Sequence, residues 1–217
     1  KKNNPKKVLD RNDFYLVGEV YNYGISDGKA FDFGDKKVNY YDRAFNSLLN
    51  FEIKWDAKNS DVINVFNKYD AILNGDLKGY GILNYLSSHD DGLPFDMTRK
   101  KPFKTAEMLL LTPGTSQVYY GDESARELMV EGATGDANLR SLMNWSRINE
   151  DVTTKLILAH WQKIGQFRAN HPAVGAGKQQ VIPTENGVII SRVRNEDKVI
   201  IGLELEKGEK VIKVAPF

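Results

Sequence analysis

Glu19 closes the run Phe14-Tyr15-Leu16-Val17-Gly18, and Asp90 closes the run Leu83-Asn84-Tyr85-Leu86-Ser87-Ser88-His89. Each run is apolar and strand-like, ends abruptly in an acid, and leads into loop-forming residues. A carboxylate at the C-terminal tip of a buried strand is where barrel enzymes keep their chemistry. Two such groups, one donating a proton and one held ionised, are the equipment for cleaving a glycosidic bond. The donor must stay protonated near neutral pH, and a half-buried pocket achieves this by desolvating its charged form. An ionised Asp beside a sugar ring stabilises an oxocarbenium-like transition state, and His89 can donate hydrogen bonds to sugar hydroxyls. Asp91 reads as a solvated loop acid.

Aromatic side chains stack on sugar faces, which makes Tyr21 and Trp145 candidates for substrate contact, balanced evenly against packing roles. Tyr23 and Phe95 share the chemistry but fit the core better. Trp55, Trp161, Tyr119 and Tyr120 read as structural, and His160 and His171 as packing or capping groups. Arg140 and Asp136 either shape a loop at the mouth of the site or form a surface ion pair.

The elements that must hold these residues follow from the apolar pattern. Leu16-Val17 reads as a strand buried on both faces, and Asp42 to Phe45 as a weaker second one. Ser60 reads as the cap of a helix running to Leu73, with Val62, Phe66, Tyr69 and Leu73 at helical spacing and Gly75 as a stop. Gly79 to Ser87 is the next strand. Pro102 opens a helix with Phe103, Ala106, Leu109 and Leu110 inward, Pro113-Gly114 ends it, and Thr115 to Tyr120 is the last strand of the series. Strand and helix in alternation predict a parallel sheet with crossover helices. A long loop from Asp122 to Asn149 precedes a long helix with Leu156, His160, Ile164 and Phe167 on one side. After Gly177 the pattern changes to short β-branched runs, Val188-Ile189-Ile190, Val199-Ile200-Ile201 and Val211-Ile212, separated by turn residues. This predicts a second, antiparallel domain over 178–217, roughly 40 residues with room for three or four strands.

Composition narrows the function classes. The 217 residues carry a formal net charge of +1, with 41% hydrophobic and 27% charged residues. No global field exists to attract nucleic acid, and the Lys cluster within Lys1 to Lys7 reads as a solvated end. No apolar run approaches the roughly 20 residues of a membrane span. With no cysteine, disulfides and thiolate metal sites are excluded.

Together these residues resemble the α-amylase family of glycoside hydrolases (family 13). Leu16-Val17-Gly18-Glu19-Val20-Tyr21 is similar to its motif at barrel strand five, and Asn84 to Asp90 to that at strand seven. Pro113-Gly114-Thr115 with Val118-Tyr119-Tyr120-Gly121-Asp122-Glu123 resembles strand eight. Arg168-Ala169-Asn170-His171-Pro172-Ala173 resembles the end of the last barrel helix, and the part from Gln179 the start of the all-β domain that follows. The resemblance implies an α/β fold: strands five to eight of a (β/α)8 barrel over 1–177, entered from a preceding helix, then a small β domain. It implies that Glu19 is the general acid/base, Asp90 the transition-state stabiliser, and His89 a substrate-binding residue. Tyr21 stands two residues after Glu19, whereas the family usually has Trp directly after that Glu.

The family's Asp-x-x-x-Asn-His and Gly-x-Arg-x-Asp blocks are absent, and the second supplies the nucleophilic Asp. The expectation is therefore a retaining hydrolase of α-glucans whose isolated segment is inactive, partnered by the N-terminal half of the barrel or self-associated. No cofactor is expected in this segment. Calcium, where relatives of the family hold it, sits mostly in a domain outside this chain. An extracytoplasmic location is slightly favoured. The rival readings are a non-catalytic amylase-like binding protein and a related α-glucosidase or glucanotransferase.

Overall fold

The computed structural model describes residues 14–42, 44–185, 187–206 and 209–216. The Lys cluster, the helix expected ahead of the first strand, and part of the Lys207-Gly208 turn lie outside the described residues.

Two four-stranded sheets organise the chain. In the first, β1 (Val17–Gly18), β4 (Ser47–Asn50), β5 (Gly81–Asn84) and β6 (Thr115–Ser116) lie side by side in that order, all parallel. Two-residue strands β2 (Phe31–Asp32) and β3 (Lys37–Val38) form a separate antiparallel ribbon between β1 and β4 in sequence. The crossovers are helical: α1 (Ile53–Asn59) and α2 (Val62–Asn74) follow β4, and α3 (Pro102–Leu111) follows β5. Beyond β6 come α4 (Trp145–Glu150), the long α5 (Val152–Asn170) and the short α6 (Ala173–Ala176). The second sheet is an antiparallel meander of β7 (Lys178–Thr184), β8 (Gly187–Arg194), β9 (Asp197–Glu206) and β10 (Glu209–Pro216).

Several sequence expectations shift by a few residues. The second parallel strand stands at Ser47–Asn50, not Asp42 to Phe45, because Ser47 and Leu48 bury between β1 and β5 while Asp42 and Ala44 form a turn. The helix expected from Ser60 to Leu73 is α2, capped by Asp61 and not by Ser60, which instead ends α1, a helix the apolar pattern does not show. The ladder of β6 stops at Ser116, and the loop from Asp122 to Asn149 contains α4 and two 3-10 turns. Leu156 faces solvent, whereas Ile157, Trp161 and Ile164 turn inward on α5.

One apolar core joins both sheets. Leu48 and Ile82 from the parallel strands meet Phe66 and Tyr69 from α2, Leu109 from α3 and Trp161 from α5. Ile190, Val199 and Ile201 of the antiparallel sheet belong to the same core. Full burial of each large aliphatic or aromatic side chain stabilises by about 1.5–3 kcal/mol. The Trp161 indole N–H donates to the Pro102 carbonyl at 3.1 Å, so its polar edge is satisfied within the core.

The seam between the sheets is polar and specific. Arg192 of β8 is wholly buried, donates to the carbonyls of Leu111 and Val174 and to Gln179 Oε1, and stacks 4.8 Å from the Phe66 ring centre. Burial lowers its guanidinium to about 9, against the pull of Asp70. Asp70 on α2 accepts the Gln179 backbone N–H at 2.8 Å. Arg168 on α5 donates to the carbonyls of Leu110, Thr112 and Gly114, closing the C-terminal end of α3.

Candidate functional site

Parallel strands all deliver their C-terminal ends to one edge of the sheet. Glu19 follows β1, Phe51 and Lys54 follow β4, Tyr85 to Asp91 follow β5, and Tyr119 to Arg126 follow β6. The topology alone therefore gathers the sequence-predicted acids at one mouth.

At β1 the chain passes close to an aromatic ring. A Cβ on Gly18 would lie 2.7 Å from the Phe45 ring, so glycine is required there for β1 to lie against the segment before β4. Gly18 is buried, and Glu19 beside it is exposed. This differs from the half-buried pocket expected for a proton donor. The reason is local: on one side of Glu19 the strand neighbours β4, and on the other it is a sheet edge. The exposure of Leu16 and Val17, expected to be buried on both faces, has the same cause.

Tyr85 is the meeting point. Its ring is buried and packs edge-on against Phe51 at 5.7 Å, and Phe51 packs edge-on against Tyr21 at 5.6 Å. Burial raises its phenol well above the usual range, and the negative charges of Asp90 and Glu19 raise it further. Both predicted acids thus act on one phenol, arriving from β1 and β5. Tyr21, 74% exposed, lies over the same aromatic group with an open face.

The loop after β5 is held at almost every residue. Ser88 Oγ donates to Asp90 Oδ1 at 2.9 Å, and His89 Nε2 lies 3.6 Å from Asp90 Oδ2. The Arg140 Nε–H donates to the His89 carbonyl at 3.0 Å, fixing this loop to the one after β6. Ser87 Oγ donates to buried Asp122, which pairs with Arg99 at 2.7 Å. Burial raises the Asp122 carboxyl, with Arg99 and Ser87 opposing the rise. Asp91, read from the sequence as a solvated acid, instead accepts the Tyr85 phenol at 2.8 Å and pairs with Lys54.

Other candidates fall elsewhere. Trp145 is 66% exposed at the start of α4, a helix tied to the loop after β6 through Asn144 and Ser124. Tyr23 is fully buried and bonds Tyr41, and Phe95 is a core residue. Trp55, expected to be structural, is half exposed with Lys58 over its ring at 5.0 Å. His171 binds Asp197 at 2.8 Å, and His160 lies 3.3 Å from Glu107.

Lys54, Tyr85 and the Asp122–Arg99 pair escape sequence reading. A buried Lys is a rare exception to the usual exposure of that residue type, and nothing in Ile53-Lys54-Trp55 announces it. Among the described residues no group of three or more His, Cys, Asp or Glu side chains is gathered as for a metal ion. Among the described residues no helix is long and apolar enough to cross a membrane.

No family model matches the chain. It is 38% identical over 204 residues to the periplasmic alpha-amylase of Escherichia coli (strain K12), a match taking in 93% of this chain and 28% of that protein. The chain thus spans little more than a quarter of that relative's length. Its fold is similar to that of an alpha-amylase from H. orenii, with TM-score 0.55, 18% identity, and cover of 88% of this chain and 43% of the other. It is equally similar to AmyP, solved in complex with maltose, with TM-score 0.55, 16% identity, and cover of 88% and 45%. In fold, the parallel sheet with its helices is the C-terminal half, strands five to eight, of a (β/α)8 barrel, and the meander is a small β domain after it.

Proposed function

We propose that this chain, which belongs to the α-amylase family of glycoside hydrolases, carries the acid/base half of a retaining site that hydrolyses α-glucosidic bonds in starch-like glucans. Glu19 is the acid/base, Asp90 the transition-state stabiliser, and His89, Tyr21 and Trp145 contact sugar. The observation that carries this reading is that Glu19 and Asp90 follow strands β1 and β5 at the same C-terminal edge of one parallel sheet, where the rings of Tyr21, Phe51 and Tyr85 pack in series. The names of its relatives add support, an alpha-amylase by sequence and a maltose-bound protein by fold.

The chemistry follows from the positions. A retaining mechanism protonates the departing sugar oxygen while a carboxylate attacks the anomeric carbon, and the protonating group then activates water. Glu19 gives its proton to the departing sugar oxygen, then takes one from the water that attacks the glycosyl intermediate. Asp90 lies beside the ring, where a carboxylate's negative charge matches the positive charge that develops. Tyr21 offers an open aromatic face to a sugar. The attacking carboxylate comes from residues beyond this chain, so the chain alone binds weakly and is inert on starch. Calcium, if held, belongs with those other residues. The periplasmic relative favours an extracytoplasmic location.

The test is product stereochemistry. Starch digested by the full-length protein that carries this segment, followed by proton NMR, is expected to release the α-anomer first. The β-anomer appearing first would contradict the retaining assignment.

A further inference from the structure

Lys54 is a charged side chain in the interior with no part in the chemistry above. Only 5% of its side chain is exposed, and 15% of that of its partner Asp91. Taking an ammonium and a carboxylate out of water costs several kcal/mol each, so a pair this deep needs further compensation. Two compensating contacts are present. The ammonium sits 5.2 Å from the centre of the Tyr85 ring, and the Tyr85 phenol donates to the same Asp91 carboxylate.

The pair also joins two separate elements. Lys54 belongs to α1, whereas Asp91 directly follows Asp90 in the loop after β5. Four residues on, along the same face of α1, Lys58 donates to the Leu93 carbonyl at 3.3 Å. One helix face thus grips the loop at 91 and again at 93, just beyond the proposed stabiliser. Loops of this kind are ordinarily mobile, and a transition-state contact tolerates little displacement.

Resting on the hydrolase reading above, we propose that Lys54 is a positioning residue for that reaction: acting through Asp91 and Tyr85, it fixes the place of the Asp90 carboxylate. The charged and titratable groups facing Lys54 are Asp91 and Asp90 from the loop, Tyr85 from the tip of β5, and Lys58 from its own helix. Burial, with Lys58 adding to it, lowers the Lys54 ammonium to about 8, and Asp90 opposes the fall. Deprotonation above that pH removes the positive charge that holds Asp91.

The test uses the full-length protein on soluble starch, with kcat measured per active site across pH for wild type, K54M, K54R, D91N and K54M/D91N. K54M is expected to lower kcat roughly 10- to 100-fold, the scale of a small misplacement of a reacting group. D91N is expected to fall alongside it, and the double variant no further, because both remove one unit. Wild type is expected to show an extra alkaline titration near pH 8 that is missing in K54M. K54R, if it folds to wild-type stability, keeps most of the activity and also lacks that titration. A K54M kcat within twofold of wild type, an unchanged alkaline limb, or additive losses in the double variant would overturn this inference alone. A wild type inert on starch would instead take down the hydrolase reading, and this inference with it.

Discussion

Glu19 and Asp90 owe their placement to single neighbours. Asp90 is oriented by Ser88 Oγ at 2.9 Å, and Glu19 is presented by a glycine that fits beneath the Phe45 ring. Replacing Glu19 by Gln in the full-length protein is expected to lower kcat by about 10²- to 10⁴-fold, the usual share of general acid–base catalysis. Steady-state kinetics on soluble starch would check it. Asp197 gives a cleaner test of charge. The Ala173 backbone N–H, and then His171, hold its carboxyl below the usual range. A carboxyl depressed in the folded state adds stability above its unfolded pKa of about 3.9 and loses it as pH falls through the folded value. Denaturant titrations from pH 5 downward should therefore show a smaller acid loss in Asp197→Asn than in wild type. The two acids were legible in the sequence because each ends an apolar run. Asp91 was not, since its partner Lys54 lies more than 35 residues away in sequence, and only the folded sheet brings them together.

At the scale of elements, strand order does what no single residue can. Short parallel strands contribute few hydrogen bonds, and their alignment depends on α2 and α3 packing over Leu48 and Ile82. The pattern in the sequence showed α3 and α5 well, since Pro102 marks a start and the apolar residues recur at helical spacing. It misplaced β4 and missed α1, because four-residue strands and seven-residue helices carry too few residues to display a period. Two substitutions probe the elements. Gly18→Ala forces the Phe45 ring or the β1 tip to move and is expected to lower activity more than it lowers thermal stability. Arg192→Met leaves the Leu111 and Val174 carbonyls without their donor and should cost about 2–4 kcal/mol in urea denaturation. A loss below 1 kcal/mol would mean that the seam between the sheets is held by the apolar core alone.

The parallel sheet has two edges. Among the described residues β1 pairs only with β4, and β6 only with β5, while Phe14, Tyr15, Val118 and Tyr120 lie exposed beside them. Open strand edges with apolar neighbours invite pairing with further strands. In the function proposed above those strands come from the rest of a longer protein, since this chain spans 28% of its Escherichia coli relative. The isolated chain is accordingly expected to self-associate, and light scattering that found a stable monomer would contradict this. Fold class was readable from the order of strands and helices, but the partner of each edge was not, because short runs such as Val17-Gly18 and Thr115-Ser116 carry no mark of what pairs with their open side. The measurement that bears most directly on the central claim is reducing-sugar release from soluble starch by three proteins: the full-length protein, its Glu19→Gln variant, and this chain alone. An active full-length protein, a variant reduced at least a hundredfold and a silent chain are the results predicted. A variant as active as its parent would contradict the assignment of the acid to Glu19.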